Sequence, residues 1–387
     1  LYVVRELGRA GVPVFGVARK AQSGASSKYL DDHQICETNR EMLDFLVDRF
    51  AGEKLKPVLI PTTDRDIDFV CRHARVLSRH FAFQTSYLDG LAQAMVTKAS
   101  LYQLCADHDV AVARWLEVKC RELPSIEDQI NYPTFVKPSR IHEIKDTMAG
   151  QKGWIVRNEN EFRDLQKQLP DSENSLIVQE IVPGTESNIA LHCAYFDAEG
   201  RPRQSFTGRK LRQYPPGFGS ASMVISEIDE EAREISERFL TAIGFHGIAA
   251  SEFKRDPRDG QLKLIEINPR PSLWFGITSE AGKHLALAAY LELGAGSRTV
   301  PDGEQRAGVG WRFGIRDMYS SYFYRMTPEF FLPPPDITPF NSASPIVDAV
   351  QCADDPKPAG FERRKAAHAV VKRLFGAGSA AGVELAK

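Results

Sequence analysis

The hydrophobic and polar positions of the first 90 residues alternate between helical and strand-like spacing. In chain order the pattern predicts a helix over residues 1–9, a continuously apolar strand over 12–17, a helix over 41–50, a strand over 57–60 and a helix from Asp64 onward. Helices alternating with strands indicate a parallel sheet of the doubly wound type. Because ligands bind such sheets where strands end, Thr62, Thr63 and Asp64 mark a candidate ligand edge, although Asp64 could equally be a helix N-cap.

Residues 95–300 continue with a smaller α+β pattern and then with longer strands. In chain order the pattern predicts a helix over 98–108, strands over 134–137 and 153–156, a helix over 159–168, strands over 176–179, 189–196 and 203–209, a helix over 230–243, and strands over 247–254 and 262–267. Beyond residue 300, an aromatic and proline-rich segment precedes a basic helix predicted over 361–375. We therefore expect divisions at 1–94, 95–182, 183–300 and 301–387. The chain opens at Leu1 in a helical pattern, from which we expect a first strand and its glycine turn to lie upstream.

Composition narrows the classes of function. The 387 residues carry a net charge of −2, so no global field attracts nucleic acid or an acidic membrane. Six scattered cysteines without metal-ligand spacing predict free thiols in a reducing cytoplasm. No apolar run approaches the ~20 residues that span a bilayer. Anionic ligands must then be held by a few local cations.

The most informative segment is SEFKRDPRDGQLKLIEINPR, in which two predicted strands carry acidic and amide side chains. Side chains alternate between the faces of a strand, so Glu266, Asn268 and Arg270 share a face, which Glu252 on the neighbouring strand can join. Two carboxylates and an amide oxygen suit Mg²⁺, a hard cation that bridges phosphates. Arg270 adds a cation for transferring phosphoryl oxygens.

This segment resembles the metal-binding hairpin of ATP-grasp enzymes, and other elements of that superfamily follow in order. Lys98 in MVTKASLYQL resembles the lysine that opens the central domain and reaches the ATP phosphates. Lys137 in YPTFVKPS resembles the second phosphate-binding lysine, at the end of a lid strand. Lys152 in the lid loop 138–152 is a further candidate phosphate contact, although the loop carries fewer small residues than is usual in the family.

The stretch LIVQEIVPGTE resembles the hinge that holds adenine in these enzymes. The resemblance implies that Gln179 and Glu180 lie at the nucleotide and that Ile181 and Val182 supply backbone contacts. It also implies that Glu186 binds the ribose hydroxyls. An extended backbone offers alternating donors and acceptors to a base, and carboxylates accept from vicinal hydroxyls.

The next motif, SFTGRKLRQYPPGFGSAS, places cations ahead of a glycine-rich loop. Arg209, Lys210 and Arg212 suit a substrate carboxylate and the γ-phosphate, with Arg209 the first choice. A solvated loop is the alternative interpretation. The pattern resembles the carboxylate–amine ligase branch of the superfamily, which includes D-aspartate ligase-like proteins.

The resemblance implies an ATP-grasp fold with an N-terminal parallel-sheet domain (1–94), a central lid (95–182), a C-terminal antiparallel-sheet catalytic domain (183–300) and an extension (301–387). It implies ATP and Mg²⁺, with Mn²⁺ as an alternative, and a cytoplasmic ligase that joins amino-acid-like carboxylate and amine substrates through an acyl phosphate. The rival readings are a non-catalytic ATP-binding regulator and an ATP-grasp phosphotransferase. A homodimer is the family expectation. The basic C-terminal helix is compatible with membrane contact, although docking on its own domain is the commoner role of such a helix.

Overall fold

The N-terminal part of the chain forms helices around a narrow parallel sheet. The computed structural model describes residues 1–139, 153–294 and 303–375, with side chains up to residue 368 in the last range. The first elements are α1 (Tyr2–Arg9), β1 (Phe15–Ala18), β2 (Asp32–Ile35), α2 (Asn39–Phe50), α3 (Asp64–Leu77), α4 (Leu91–Val96) and α5 (Lys98–Asp107). β1 and β2 pair in parallel, and a parallel bridge joins Val58 to Ala82. The expected parallel pairing is confirmed.

Two details of this part correct the expectations from sequence. The strand predicted over 57–60 is only a bridge, because Pro57 and Pro61 lack the N–H groups that would extend a ladder. The N-cap of α3 is Thr63, whose side chain accepts from the backbone N–H of Asp66, so Asp64 does not have that role. Asp64 is therefore available for other contacts.

A second sheet, here called the lid sheet, follows α5. Its elements are β3 (Trp115–Lys119), β4 (Thr134–Pro138), β5 (Trp154–Val156), α6 (Glu159–Gln168) and β6 (Ser175–Glu180). The strands are hydrogen-bonded in the order β3-β6-β4-β5, with antiparallel neighbours. Val136, Val156 and Val178 pack towards α6 on one face. Since side chains alternate, Phe135 and Lys137 lie on the opposite, inner face.

The large sheet contains most of the remaining strands. Its elements and the helices between them are β7 (Ile189–Phe196), β8 (Pro202–Tyr214), β9 (Ser220–Ser226), α7 (Glu230–Ala242), β10 (Gly247–Arg255), β11 (Leu262–Asn268), α8 (Gly276–Glu280), α9 (Leu285–Leu293), β12 (Gly310–Arg312), α10 (Gly314–Met326), β13 (Ile346–Asp348) and α11 (Lys357–Phe375). The strand order is β11-β10-β7-β8-β9-β12-β13. Neighbours are antiparallel except β12 and β13, which are parallel.

Two hydrophobic layers sandwich the large sheet. On one face, alternating β7 residues such as Leu191 and Tyr195 pack with Trp274 and the helices α8 and α9. On the other face, Ala190 and Phe253 pack with α5 and α7. The strand residues of the sheet can therefore be assigned to one face or the other.

The described residues 303–375 pack on both earlier parts of the structure. β12 pairs with β9 and so continues the large sheet. Asp355, which precedes α11, is buried and accepts from Arg5 Nε of α1 (2.9 Å), from Ser27 Oγ (2.7 Å) and from Lys28 N (2.9 Å). The C-terminal segment thus returns to the N-terminal part. The side chains at the end of the basic helix, residues 369–375, lie outside the described ones.

Two further sequence expectations concern cysteines and membranes. All six cysteines are free thiols, as the scattered spacing predicted. Within the described ranges, no helix has the length and apolarity required for a bilayer crossing.

Candidate active site

Two carboxylates face each other across β10 and β11. Glu252 is the direct cross-strand partner of Glu266, and Asn268 pairs with Ala250 one step along the same face. The amide nitrogen of Asn268 donates to Glu266 Oε1 (3.0 Å). The structure therefore brings together the three residues predicted to bind metal.

A lysine from two strands away balances the buried carboxylate. Lys210 Nζ on β8 lies 2.5 Å from Glu252 Oε2. Burial raises the pKa of Glu252, the Lys210 ammonium opposes that rise, and the charge of Glu266 adds to it. Lys210 is therefore the counter-charge of the buried Glu252 side chain.

The structure corrects the role expected of Arg209. Lys210 points to Glu252, so its neighbour Arg209 points to the opposite face of β8, and no bulge separates the two. Arg209 Nη2 instead pairs with Glu227 Oε2 (2.9 Å) at the edge of that face. Lys210, which was named from sequence together with Arg209 and Arg212, is the cation that reaches Glu252.

Two more cations border the cluster. Lys98, at the start of α5, donates to the carbonyl of Ile265 (3.0 Å) and lies 3.6 Å from Glu266 Oε2. Arg270 Nη2 donates to Asn268 Oδ1 (3.0 Å), and its Nε donates to Asp64 Oδ1 (2.7 Å). Arg270 therefore connects Asp64, at the candidate ligand edge of the N-terminal part, to Asn268 of the acidic cluster.

The donor chemistry of the cluster fits a hard divalent cation. In the described part of the chain, no group of three or more His, Cys, Asp or Glu residues is arranged for a metal. Glu252, Glu266 and Asn268 differ from such a group because the third donor is an amide oxygen. Carboxylate and amide oxygens are ligands of Mg²⁺, and two adjacent carboxylates repel each other without a cation. These residues would hold Mg²⁺.

Lys137 lies on the inner face of the lid sheet. Lys137 Nζ donates to Gln179 Oε1 (3.1 Å), and the hydroxyl of Tyr102 donates to the same oxygen (3.0 Å). Gln179 therefore links the lid sheet to α5 and orients the ammonium group of Lys137. Lys152, the other predicted lid contact, lies outside the described residues.

The hinge between the two sheets is held by a buried lysine. Lys254 Nζ donates to the carbonyls of Val182 (2.8 Å) and Gly184 (2.9 Å). Burial lowers the pKa of Lys254 to about 8, against the opposing charges of Glu186 and Asp256. The backbone N–H of Ile181 donates to Pro133 O (3.2 Å). The hinge backbone is thus extended and anchored on the same face as Glu252.

The hinge carboxylates occupy different environments. Glu180 forms an ion pair with Arg258 at the surface of the hinge. Glu186 is buried and accepts from the backbone N–H groups of Gly217 (2.6 Å) and Gln213 (3.0 Å). Burial raises the pKa of Glu186, and these N–H groups oppose the rise. This corrects the expected ribose contact, because both oxygens of Glu186 hold the end of β8 and the glycine loop.

Several site residues escaped the sequence analysis. Lys254 stands two residues after Glu252, so strand alternation could have identified it on the same face. Asp317 pairs with Arg212 (2.9 Å), and Ser320 Oγ donates to Gln213 O (2.7 Å). These α10 residues lie more than a hundred positions from their partners, and no local pattern connects them.

Comparison with known proteins gives sequence relatives of partial length. No protein-family model matches the chain. A D-aspartate ligase of Enterococcus faecium (strain Aus0004) is 27% identical over 240 residues, covering 59% of this chain and 56% of that protein. A D-alanine–D-alanine ligase of Wolbachia pipientis wMel is 26% identical over 148 residues, covering 37% of this chain and 45% of that protein. The chain thus spans about half the length of these relatives.

Solved structures cover more of the chain. An ADP complex of PurK, an N5-carboxyaminoimidazole ribonucleotide synthetase, has a TM-score of 0.61 at 14% identity, covering 80% of this chain and 76% of its own. An L-amino acid ligase from Bacillus licheniformis has a TM-score of 0.56 at 15% identity, covering 80% and 75%. These likenesses show that the chain has the ATP-grasp fold, as predicted, and its sequence relatives are ligases of that fold.

Proposed function

We propose that this ATP-grasp chain is an ATP-dependent ligase that activates a carboxylate as an acyl phosphate and joins it to an amine, releasing ADP and phosphate. The observation that carries the proposal is the cluster of Glu252, Glu266 and Asn268, with Lys98, Lys210 and Arg270 around it. An acidic metal site ringed by cations suits the transfer of a polyanionic phosphoryl group. The ligase activity of the sequence relatives supports the same reaction.

The position of each residue in the cluster indicates the role that we assign to it. Mg²⁺ held by Glu252, Glu266 and Asn268 would neutralise charge on the β- and γ-phosphates. Lys98 and Arg270 stand beside the cluster and would stabilise charge on the phosphoryl oxygens as the γ-phosphoryl group moves. Lys210 pairs with Glu252 and would hold its carboxyl group in place. Lys137 extends from the lid sheet towards the phosphates nearer the base.

The reaction balances without a further reactant. A carboxylate oxygen attacks the γ-phosphorus, the bond to the β-phosphate oxygen breaks, and ADP leaves. The amine nitrogen then attacks the acyl carbon, phosphate leaves, and a proton is lost from nitrogen as the amide forms. Closure of the lid sheet over the cluster would keep water from the acyl phosphate.

The position of the hinge supports a place for the nucleotide between the lid sheet and the large sheet. The extended segment from Glu180 to Val182 would bind adenine through its backbone. We assign the substrate edge to residues 1–94, the lid to 95–182 and catalysis to 183–300. Of the extension 301–387, β12 pairs with β9 of the catalytic unit, and Asp355 contacts the first unit through Arg5. Arg270 and Asp64 lie where the first and third units meet, which suits the binding of small amino-acid-like substrates.

The decisive test is ATP turnover with Mg²⁺ against a matrix of amino acids and small amines, scoring ADP, phosphate and product mass together. A product mass of acid plus amine minus water, appearing only with particular pairs, establishes the ligase. A stable phosphoester without amide would instead identify a phosphotransferase. Nucleotide binding without turnover in any pair would favour a regulator.

A further inference from the structure

The inner face of the lid sheet carries an aromatic ring beside its phosphate-directed lysine. Lys137 Nζ lies 5.8 Å from the centroid of the Phe135 ring, so the two side chains share that face. Ile155 of the neighbouring strand and Ile181 of the hinge border the same ring. The Phe135 ring is a flat apolar surface between the hinge and Lys137, and a nucleotide base could stack on it.

This surface is covered by a phenylalanine from the glycine loop. The Phe218 ring stacks on Phe135 with centroids 4.4 Å apart and planes inclined by 18°. Phe331, from the segment after α10, also stacks with Phe218, with centroids 6.1 Å apart and planes inclined by 16°. Three segments far apart in sequence therefore build one column of near-parallel rings.

The spacing of the column leaves no room for a third ring at Phe135. Stacked carbon atoms approach to roughly 3.5–4.0 Å, so a base inserted between two rings needs about 7 Å between them. The centroids of Phe135 and Phe218 are 4.4 Å apart. A nucleotide base can lie against Phe135 only after Phe218 has left.

Phe218 is flanked by glycines in the loop that carries it. Gly217 precedes the ring with φ +90°, and Gly219 follows it. The ring of Phe330 approaches an added Cβ on Gly217 to 3.2 Å, so the residues after α10 support the loop in its present position. Movement of Phe218 would therefore also disturb the hold of Glu186 on the Gly217 N–H.

We propose that Phe218 is a built-in competitor of the nucleotide base, filling the base position on Phe135 and leaving it when nucleotide binds. The inference rests on the proposed function, since it concerns the same nucleotide site. Displacing Phe218 moves the loop at the end of β8, where Glu186 holds the Gly217 N–H. Nucleotide binding and the position of this loop are thereby coupled.

The test compares the dissociation constants of ADP with Mg²⁺ by calorimetry in wild type, Phe218→Ala and Phe135→Ala. Removing a competitor lowers the apparent dissociation constant, by about threefold to tenfold for one aromatic stack. Removing the wall at Phe135 raises it. Phe331→Ala removes a ring that packs on Phe218 and so weakens the contacts that hold Phe218. It should lower the dissociation constant of ADP by less than Phe218→Ala does.

Phe15→Ala is the matched control, because Phe15 stacks on Phe45 in the N-terminal part, away from the site. It should leave ADP affinity unchanged. Phe218→Leu, which retains bulk but not the flat ring, is the second variant if Phe218→Ala unfolds, and it too should bind ADP more tightly than wild type. Unchanged or weaker ADP binding by folded Phe218 variants would overturn the inference. Failure of wild type to bind ADP would instead reject the proposed function.

Discussion

Lys210 and Glu252 form a buried ion pair that reaches across an intervening strand. Their charged atoms are 2.5 Å apart, although β7 lies between β8 and β10. The side chains are 3% and 10% exposed. Arg209, adjacent in sequence, points to the other face and pairs with Glu227, where both side chains are about one-third exposed. Two neighbouring cations thus have very different environments.

We expect Lys210→Met to lower the free energy of unfolding by about 3–5 kcal/mol, because it leaves a buried carboxylate without its cation. Arg209→Met should change it by ~1 kcal/mol or less, since exposed pairs contribute little. Urea denaturation of both variants measures the difference. The double variant Lys210→Met/Glu252→Gln should recover part of the loss. Equal effects of the two single substitutions would contradict the assignment of faces.

Glu266→Gln should reduce ligase turnover by ~10²-fold or more, because it removes a charge from the metal cluster while keeping side-chain shape. The free energy of unfolding should stay within ~1 kcal/mol of wild type, since the side chain is partly exposed. Steady-state release of phosphate with the identified substrates provides the measurement. Glu231→Gln, which alters a surface pair with Arg255, serves as the matched control. Full turnover in Glu266→Gln would remove this residue from the metal site.

The depressed pKa of Lys254 predicts a pH dependence of stability. Burial lowers this pKa to about 8 in the folded chain, against ~10.4 when unfolded. The unfolded state therefore binds more protons between these values, so the contribution of Lys254 is full above ~10.4 and is lost as pH falls through about 8. We expect wild type to gain stability relative to Lys254→Met as pH rises from 8 to 10. Parallel urea titrations at several pH values test this, and a constant difference would argue against the shift.

Adjacent aspartates near the C-terminal helix offer a matched comparison. Asp355 is 1% exposed and accepts from Arg5, Ser27 and Lys28, whereas Asp354 is 42% exposed and pairs with Arg9. Asp355→Asn should destabilise the protein by about 3–5 kcal/mol, because it leaves the buried Arg5 guanidinium without its counter-charge. Asp354→Asn should cost ~1 kcal/mol or less. Thermal and urea unfolding distinguish the two, and similar losses would show that the junction is not held through Asp355.

Acid should weaken the same junction. Burial alone would raise the pKa of Asp355, but hydrogen bonds from Lys28, Ser27 and Arg5 lower it below its ordinary value. A lowered folded-state pKa contributes stability above the unfolded value of ~3.9 and loses it as pH falls further. The stability difference between wild type and Asp355→Asn should therefore shrink in that acid range, as urea titrations at pH 5 and below would reveal.

The elements with strong periodicity could be predicted from sequence. The helix over 159–168 and the strand over 189–196 have the predicted bounds, and β10 and β11 are each one residue longer than predicted. Strand alternation also placed Glu252, Glu266 and Asn268 together, because the hairpin that joins their strands is local. A contact between two side chains could therefore be predicted from the sequence where both lie on the same hairpin.

What sequence could not supply depends on long-range packing. β2 consists of Asp32, His33, Gln34 and Ile35, all exposed, so no hydrophobic alternation marks it as a strand. Choosing between Arg209 and Lys210 requires knowing which face of β8 carries the acidic cluster. The strand was predicted to end at residue 209, before Lys210, so the prediction could not assign the two side chains to opposite faces. The burial of Glu186 under the glycine loop follows from the fold of β8 and α10 together. Contacts of this kind have no local pattern.

The pairing of β12 with β9 has a consequence for any shorter version of the protein. Family resemblance ends near residue 300, which would suggest that a fragment stopping there is a complete unit. Such a fragment would leave the N–H and C=O groups of β9 unpaired along a newly exposed edge, and a bare edge strand recruits other strands. The fragment would also lack Phe331, whose ring stacks with Phe218. The described residues after 302 therefore cover the β9 edge of the large sheet, to which other strands could otherwise pair.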